Sequence, residues 1–258
     1  MSLILTDSDN VAFYTFPAGF DLHAWKDRDF TTRSRMLARF GAHGGREVSD
    51  RAVEPRRVTV KGAYHAASQA ALKTFLDALS QALHHHGAEY RFSWEAGSYV
   101  QVSHVDELKV DRFEAGLAFR SVSVEIRFVC PDPFWYSVTG DGGTPVSITL
   151  GTQTIGFTSL GGVPAPLVVQ CDPTAAWADF TIENATDDGN LFRYADSGLV
   201  SGARLIVDGR DGTVARDGVS SIRHYSGAFL RVLPGENTLR YTGPTGGSIT
   251  FSAPRRFL

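Results

Sequence analysis

Val122-Ser-Val-Glu-Ile-Arg-Phe-Val-Cys-Pro-Asp-Pro-Phe-Trp-Tyr-Ser137 is a β-strand that runs straight into a rigid aromatic stop. Val122, Val124, Ile126 and Phe128 alternate with Ser123, Glu125 and Arg127, the period-2 pattern of a strand with one buried face. Pro131 and Pro133 remove backbone donors and fix φ, so the ladder is expected to stop at Val129. Phe134, Trp135 and Tyr136 follow at once and carry too much apolar area to leave in water; they read as a plug under a junction or as a contact surface. The stretch divides two β-rich halves, 1–137 and 138–258, and nothing in it resembles a catalytic motif.

Upstream, Val11–Phe16 and Phe20–Trp25 are short apolar runs around Pro17-Ala-Gly19, punctuated as a hairpin is. Residues 28–57 hold eight arginines (Arg28, Arg33, Arg35, Arg39, Arg46, Arg51, Arg56, Arg57) against Asp29, Glu47, Asp50 and Glu54. With Gly41, Gly44 and Gly45 breaking any regular pattern, this segment reads as a long loop or an extended hairpin reaching out of its domain. Val58 and Val60 mark another strand. Leu72, Phe75, Leu76, Leu79 and Leu83 fall at helical spacing and predict one helix from about Ser68 to His86, closed by Gly87. Tyr90–Trp94 and Tyr99–Val102 add strands, so the first half is expected to be α+β, a sheet or small barrel carrying one helix.

After Gly140 no helix is expected. Val146/Ile148/Leu150, Ala178/Phe180/Ile182, Leu239/Tyr241 and Ile249/Phe251 alternate with polar residues between Gly, Asp, Asn and Pro breaks, which is a sandwich pattern. Asp208-Gly209, Asp211-Gly212 and Asp217-Gly218 supply the turn residues that tight hairpins need.

Composition narrows the function classes. A net charge of −3 argues against a protein that grips nucleic acid through its phosphates. Arginine outnumbers lysine 21 to four, which G+C-rich coding produces without function, and which also suits planar protein–protein contacts. Cys130 and Cys171 fall on opposite sides of the seam and are expected to be buried free thiols. Asp7, Asp9 and Asp21 at the start are not those of a secretion signal, and no run approaches the roughly 18 apolar residues of a membrane span.

No nucleophile elbow, phosphate loop, zinc helix or dinucleotide fingerprint is present. His84, His85 and His86 are consecutive, about 100° apart around a helix, and cannot converge on one ion. The Asp-Gly pairs lack the alternating ligands and closing glutamate of a calcium loop. No catalytic residue, metal site or cofactor is therefore expected.

The ordered pieces resemble the distal tail proteins of long-tailed bacteriophages, the baseplate hub or siphovirus tail component family. They are Arg33-Ser-Arg35 leading to Gly41-Ala-His-Gly-Gly45, Arg56-Arg-Val-Thr-Val-Lys-Gly62, the single helix, and Phe128-Val-Cys-Pro-Asp-Pro-Phe-Trp-Tyr136. In the second half they are Phe180-Thr-Ile-Glu-Asn-Ala-Thr186, Leu205-Ile-Val-Asp-Gly209 with Gly212-Thr-Val214, and Leu233-Pro-Gly-Glu-Asn237. The resemblance implies an N-terminal split-barrel domain and a C-terminal galectin-like β-sandwich. It also implies a homo-hexameric ring at the virion tail tip, assembled after folding in the host cytoplasm, with DNA only in transit and no membrane contact. A tail tube protein and a tail hub or tail-associated lysin are the implied neighbours, with receptor-binding proteins as further partners. The subunit contact is expected at Arg33, Arg35, Met36 and Arg39. A host-surface carbohydrate-binding module is the alternative, with Trp177, Tyr194 and Tyr225 as its candidate aromatics and core packing as the competing reading of each.

Overall fold

The computed structural model describes residues 3–7, 11–27, 32–37, 46–53, 55–84, 90–95, 97–112 and 120–257; the backbone alone is described at 23–27, 32–37, 46–53, 94–95 and 112. The chain divides into two compact units between Trp135 and Tyr136, inside the aromatic run. It is mainly β, as expected, and the pairings are antiparallel.

In the first unit the strands are β1 (Ile4–Thr6), β2 (Ala12–Thr15), β3 (Phe20–Asp27), β4 (Thr32–Leu37), β5 (Arg46–Val53) and β6 (Arg56–His65). After helix α1 (Gln69–Leu83) come β7 (Tyr90–Glu95), β8 (Ser98–Val102), β9 (His104–Arg112) and β10 (Ser121–Cys130). The order β3-β6-β10-β9 makes one sheet, β2-β1-β7-β8 run side by side in another, and among the described residues β4 pairs with β5 alone. The period-2 reading of β10 holds along its full length: Val122, Val124, Ile126, Phe128 and Cys130 are wholly buried. Phe128 stacks on Phe92 of β7 at 5.0 Å, so the two sheets close on one core. Burial of side chains as large as Ile126 and Phe128 contributes about 2 kcal/mol each.

Helix α1 is shorter than its apolar spacing suggests. The Ser68 hydroxyl accepts from the Ala71 N–H at 3.1 Å and starts the helix. Leu72, Phe75, Leu79, Ala82 and Leu83 are buried, and Phe75 stacks on Tyr64 at 4.2 Å. The helix ends at Leu83, where His84 becomes the cap and returns its N–H to the Ser80 carbonyl. The expected closure at Gly87 lies outside the described residues.

The expected hairpin between 11–16 and 20–25 is not formed. β2 pairs with β1 and β3 pairs with β6, so Pro17-Ala-Gly19 is a corner between two sheets. Phe16 and Phe20 on either side of that corner both face the core, 5.0 Å apart, and their burial pulls the two strands into different layers.

Strand β11 (Trp135–Ser137) spans the boundary, and the second unit continues with β12 (Asp141–Ser147), β13 (Thr152–Ser159), β14 (Ala165–Pro166), β15 (Val168–Pro173), β16 (Asp179–Asn184) and β17 (Asn190–Ala195). It continues through β18 (Leu205–Asp208), β19 (Thr213–Arg216), β20 (Val219–Ser220), β21 (Tyr225–Gly227), β22 (Arg231–Val232), β23 (Gly235–Thr242), β24 (Gly247–Ala253) and β25 (Arg256–Phe257). Sheets β12-β24-β15-β18-β19-β20 and β13-β23-β16-β17-β21 sandwich a core centred on Trp177, Phe180, Phe192, Tyr194 and Tyr241. Asp217 and Gly218 both have positive φ and join β19 to β20 by a tight turn, the use predicted for that pair. Cys130 and Cys171 form no disulfide and are each buried in a core of their own unit.

Candidate assembly interface

The paired strands β3 and β6 run from Phe20 opposite Tyr64 to Asp27 opposite Val58, with a register shift between Leu22 and Ala24. Between them the chain makes the β4–β5 ribbon, an excursion from one sheet that, among the described residues, joins neither sheet of its unit. Arg33 stands opposite Ala52, Arg35 opposite Val48, Met36 opposite Glu47 and Leu37 opposite Arg46, with a register shift between Arg33 and Arg35. The extended hairpin expected from sequence is thus present, and it gathers Arg33, Arg35 and Met36 on one strand; Arg39 lies outside the described residues. In sequence, the two ribbon strands carry Arg33, Arg35, Arg46 and Arg51 against Glu47 and Asp50. A two-stranded ribbon is marginal in water without a surface to cover it.

The outer face of the β3-β6-β10-β9 sheet has a different electrostatic character. Lys61 Nζ lies 2.8 Å from Glu125 Oε2, Arg127 Nη1 2.8 Å from Glu107 Oε2, and Lys109 Nζ 2.9 Å from Glu107 Oε1. Register sets two of these pairs, since Glu125 stands opposite Lys61 and Arg127 opposite Glu107, while Lys109 and Glu107 are neighbours on the same face of β9. Hydrogen bonds from Lys109 to Glu107 and from Lys61 to Glu125 hold both carboxyls below the usual range. This ladder satisfies its own charges across three strands.

The sandwich takes two of the three candidate sugar-binding aromatics into its core and packs the third against a neighbouring ring. Trp177 and Tyr194 are wholly buried. Tyr225 is half-buried, stacked on Phe229 at 4.8 Å, and its hydroxyl donates to the Ala228 carbonyl at 2.7 Å. Among the described residues no group of three or more His, Cys, Asp or Glu could hold a metal ion, and no helix is long and apolar enough to cross a membrane.

What sequence reading misses is a set of buried polar clamps in the sandwich. Asp187 accepts three hydrogen bonds from the Arg231 guanidinium at 2.9–3.1 Å and one from Asn190 Nδ2 at 3.0 Å. The Arg231 bonds hold its carboxyl below the ordinary value against the opposing effect of burial. Asp196 accepts from the Gly198 N–H at 2.8 Å, from the Tyr194 hydroxyl at 2.9 Å and from Arg216. Burial raises its pKa, but these partners together outweigh it and the net shift is downward. Tyr194 also shares a 2.6 Å hydrogen bond with Ser221. The Ser221 hydroxyl is thus engaged by the tyrosine, and the cluster reads as structural.

A pH dependence follows. Both folded pKa values lie below the unfolded aspartate value of about 3.9, so this part of the stability is intact above that value and is lost as pH falls through the folded pKa. The melting temperature of the sandwich is expected to hold steady from neutrality to about pH 5 and to fall steeply below about pH 4. Calorimetry of Asp187→Asn and Asp196→Asn should show a shallower acid limb than wild type; limbs of equal steepness would assign the acid sensitivity to other groups.

The architecture is that of a two-unit, mainly β protein: paired sheets with one helix and an inserted ribbon, then a two-sheet sandwich. No family model matches the chain, and no curated protein does. Among solved structures it is similar to the Dit protein of phage SPP1, whose crystal structure is described as a paradigm of the hub adsorption apparatus of phages that infect Gram-positive bacteria. The TM-score is 0.64 at 14% identity, over 99% of this chain and 99% of that one. The chain is therefore mainly β, as expected, and its likeness in fold to that protein runs end to end.

Proposed function

We propose that this protein is a structural subunit of a phage tail tip, forming a hexameric ring that joins the tail tube to the hub and host-recognition proteins and lets DNA pass. The full-length likeness to a protein described as a hub adsorption apparatus carries this reading. The ribbon supplies a means of closure: a protruding element on one subunit and a different receiving surface on the next make a heterologous contact, which forms a ring when the rotation closes. The β6-β10-β9 face, where Lys61, Lys109 and Arg127 are each held by a carboxylate, fits passage of DNA, because a phosphate backbone is gripped by unpaired cations.

Native mass spectrometry and negative-stain imaging test the ring. Wild type is expected as hexamers, and Arg33→Glu with Arg35→Glu as folded monomers with an unchanged melting curve. A wild type that stays monomeric at high concentration contradicts the ring. Unfolding of the double variant would show that the two arginines belong to the interior of their own domain.

A further inference from the structure

The two sheets of the sandwich end in four edge strands, and three of them are blunted. β12 carries Pro145 and a register shift between Gly142 and Pro145, β20 is two residues long, and β21 is three. Such features keep a sheet edge from adding a foreign strand. β13 has none of them. It is eight residues, Thr-Gln-Thr-Ile-Gly-Phe-Thr-Ser, with no charge and no proline, and its register with β23 is unbroken from Thr152 opposite Thr242 to Ser159 opposite Gly235.

The Gly243 N–H donates to the Gly151 carbonyl at 2.9 Å, so odd-numbered residues make the hydrogen-bonded pairs with β23 and even-numbered ones turn their N–H and C=O outward. Thr152, Thr154, Gly156 and Thr158 are exposed, and among the described residues their outward backbone groups have no partner. Gly156 sits at the centre. Its backbone is not left-handed and a Cβ there would meet nothing within 4 Å, so nothing inside the sandwich requires glycine, although glycine weakens a strand. Leu150 and Leu160 flank the strand at 60% and 59% exposure.

We propose that β13 pairs antiparallel with β13 of a second copy of this chain, about a two-fold axis at Gly156. The edge is complementary to itself. In this register Gly156 faces Gly156 and Thr154 faces Thr158 of the second copy, so no charges repel and threonine pairs with threonine. The ladder stops short of Leu160, whose N–H donates to Asp141 Oδ2 at 2.7 Å. The contact is isologous and separate from the ribbon, so it joins two subunits, or two rings, without competing with ring closure. An eight-residue edge buries well under the roughly 1,200 Å² of a standard interface, which makes the pairing weak and concentration-dependent in free subunits.

Residue-resolved hydrogen exchange on the full chain tests this, run from about 10 μM to about 1 mM. The amides of Thr154, Gly156 and Thr158 are expected to slow on the order of tenfold with rising concentration, while Ile155 and Phe157 stay slow throughout as internal controls. Thr154→Lys with Thr158→Lys sets lysine opposite lysine twice, and should abolish that protection and the matching shift in sedimentation without lowering the melting temperature. In Arg33→Glu with Arg35→Glu the edge protection should persist, which separates this contact from the ribbon. Even-numbered amides that stay fast at every concentration, or a lysine variant whose Gly156 amide is protected as strongly as in wild type, overturn the proposal and leave the edge to an extended segment of another protein.

Discussion

Asn237→Ala is expected to destabilise the sandwich by about 3 kcal/mol, a fall in melting temperature of roughly 10 °C for a unit of this size. Asn237 is 2% exposed and uses its whole carboxamide. Nδ2 donates to the Leu233 and Gly235 carbonyls at 2.8 and 3.1 Å, and Oδ1 accepts from the Leu233 N–H at 2.9 Å and from Asn184 Nδ2 at 3.3 Å. Alanine strips four polar groups of a partner at once, and a buried orphan costs about 1–3 kcal/mol before any water enters. Asn237→Asp should do no better, because a carboxylate would face the two carbonyls that the amide now donates to. Asn184 donates in addition to the Arg231 carbonyl at 2.8 Å and accepts from the Thr186 N–H at 3.1 Å, so it belongs to the same network. Asn184→Ala combined with Asn237→Ala should therefore fall short of the summed single effects by at least about 0.5 kcal/mol. A melting temperature within about one degree of wild type for Asn237→Ala would show that the carboxamide does not hold these strands.

These two asparagines also mark how far sequence reading reaches. Phe180–Thr186 and Leu233–Asn237 stand out as ordered stretches, yet nothing in either says that their asparagines meet across β16 and β23, because a hydrogen bond between residues 53 apart depends on register set by the whole sheet. Elements whose cause is local are legible: β10 through its alternation, α1 through apolar spacing and Ser68, the β19–β20 turn through Asp217-Gly218, the ribbon through glycines and arginines that suit no core. Those whose cause is distant are not. Pro17-Ala-Gly19 reverses the chain in either reading, and only the burial of Phe16 and Phe20 decides that β2 and β3 go to different sheets. The candidate interface divides the same way. Its arginines are visible in composition, whereas the separation of the ribbon from both sheets, and the open edge of β13, follow from strand order alone.

Trp177→Ala should be the most damaging single change in the sandwich, at about 4 kcal/mol and a drop of roughly 15 °C. Trp177 lies in the segment between β15 and β16, a place where an aromatic residue on a β-sandwich could equally stack on a sugar. The structure puts it wholly inside. Its ring contacts Phe180 edge-on at 5.7 Å and Tyr241 at 5.4 Å, and Nε1 donates to the Gly246 carbonyl at 2.8 Å. Its backbone N–H donates to the Leu199 carbonyl at 2.9 Å, so the residue ties together segments far apart in sequence. Alanine leaves a cavity among aromatic walls that cannot collapse without moving three strands. Trp177→Phe keeps most of the packing, and the Gly246 carbonyl keeps the Thr174 N–H at 3.2 Å, so that variant should lose about half as much. The two readings of this residue predict opposite pairs of results. A sugar-stacking tryptophan loses glycan binding at an unchanged melting temperature, whereas a core tryptophan lowers the melting temperature in the order Trp, Phe, Ala; calorimetry on the three proteins beside a glycan array separates them.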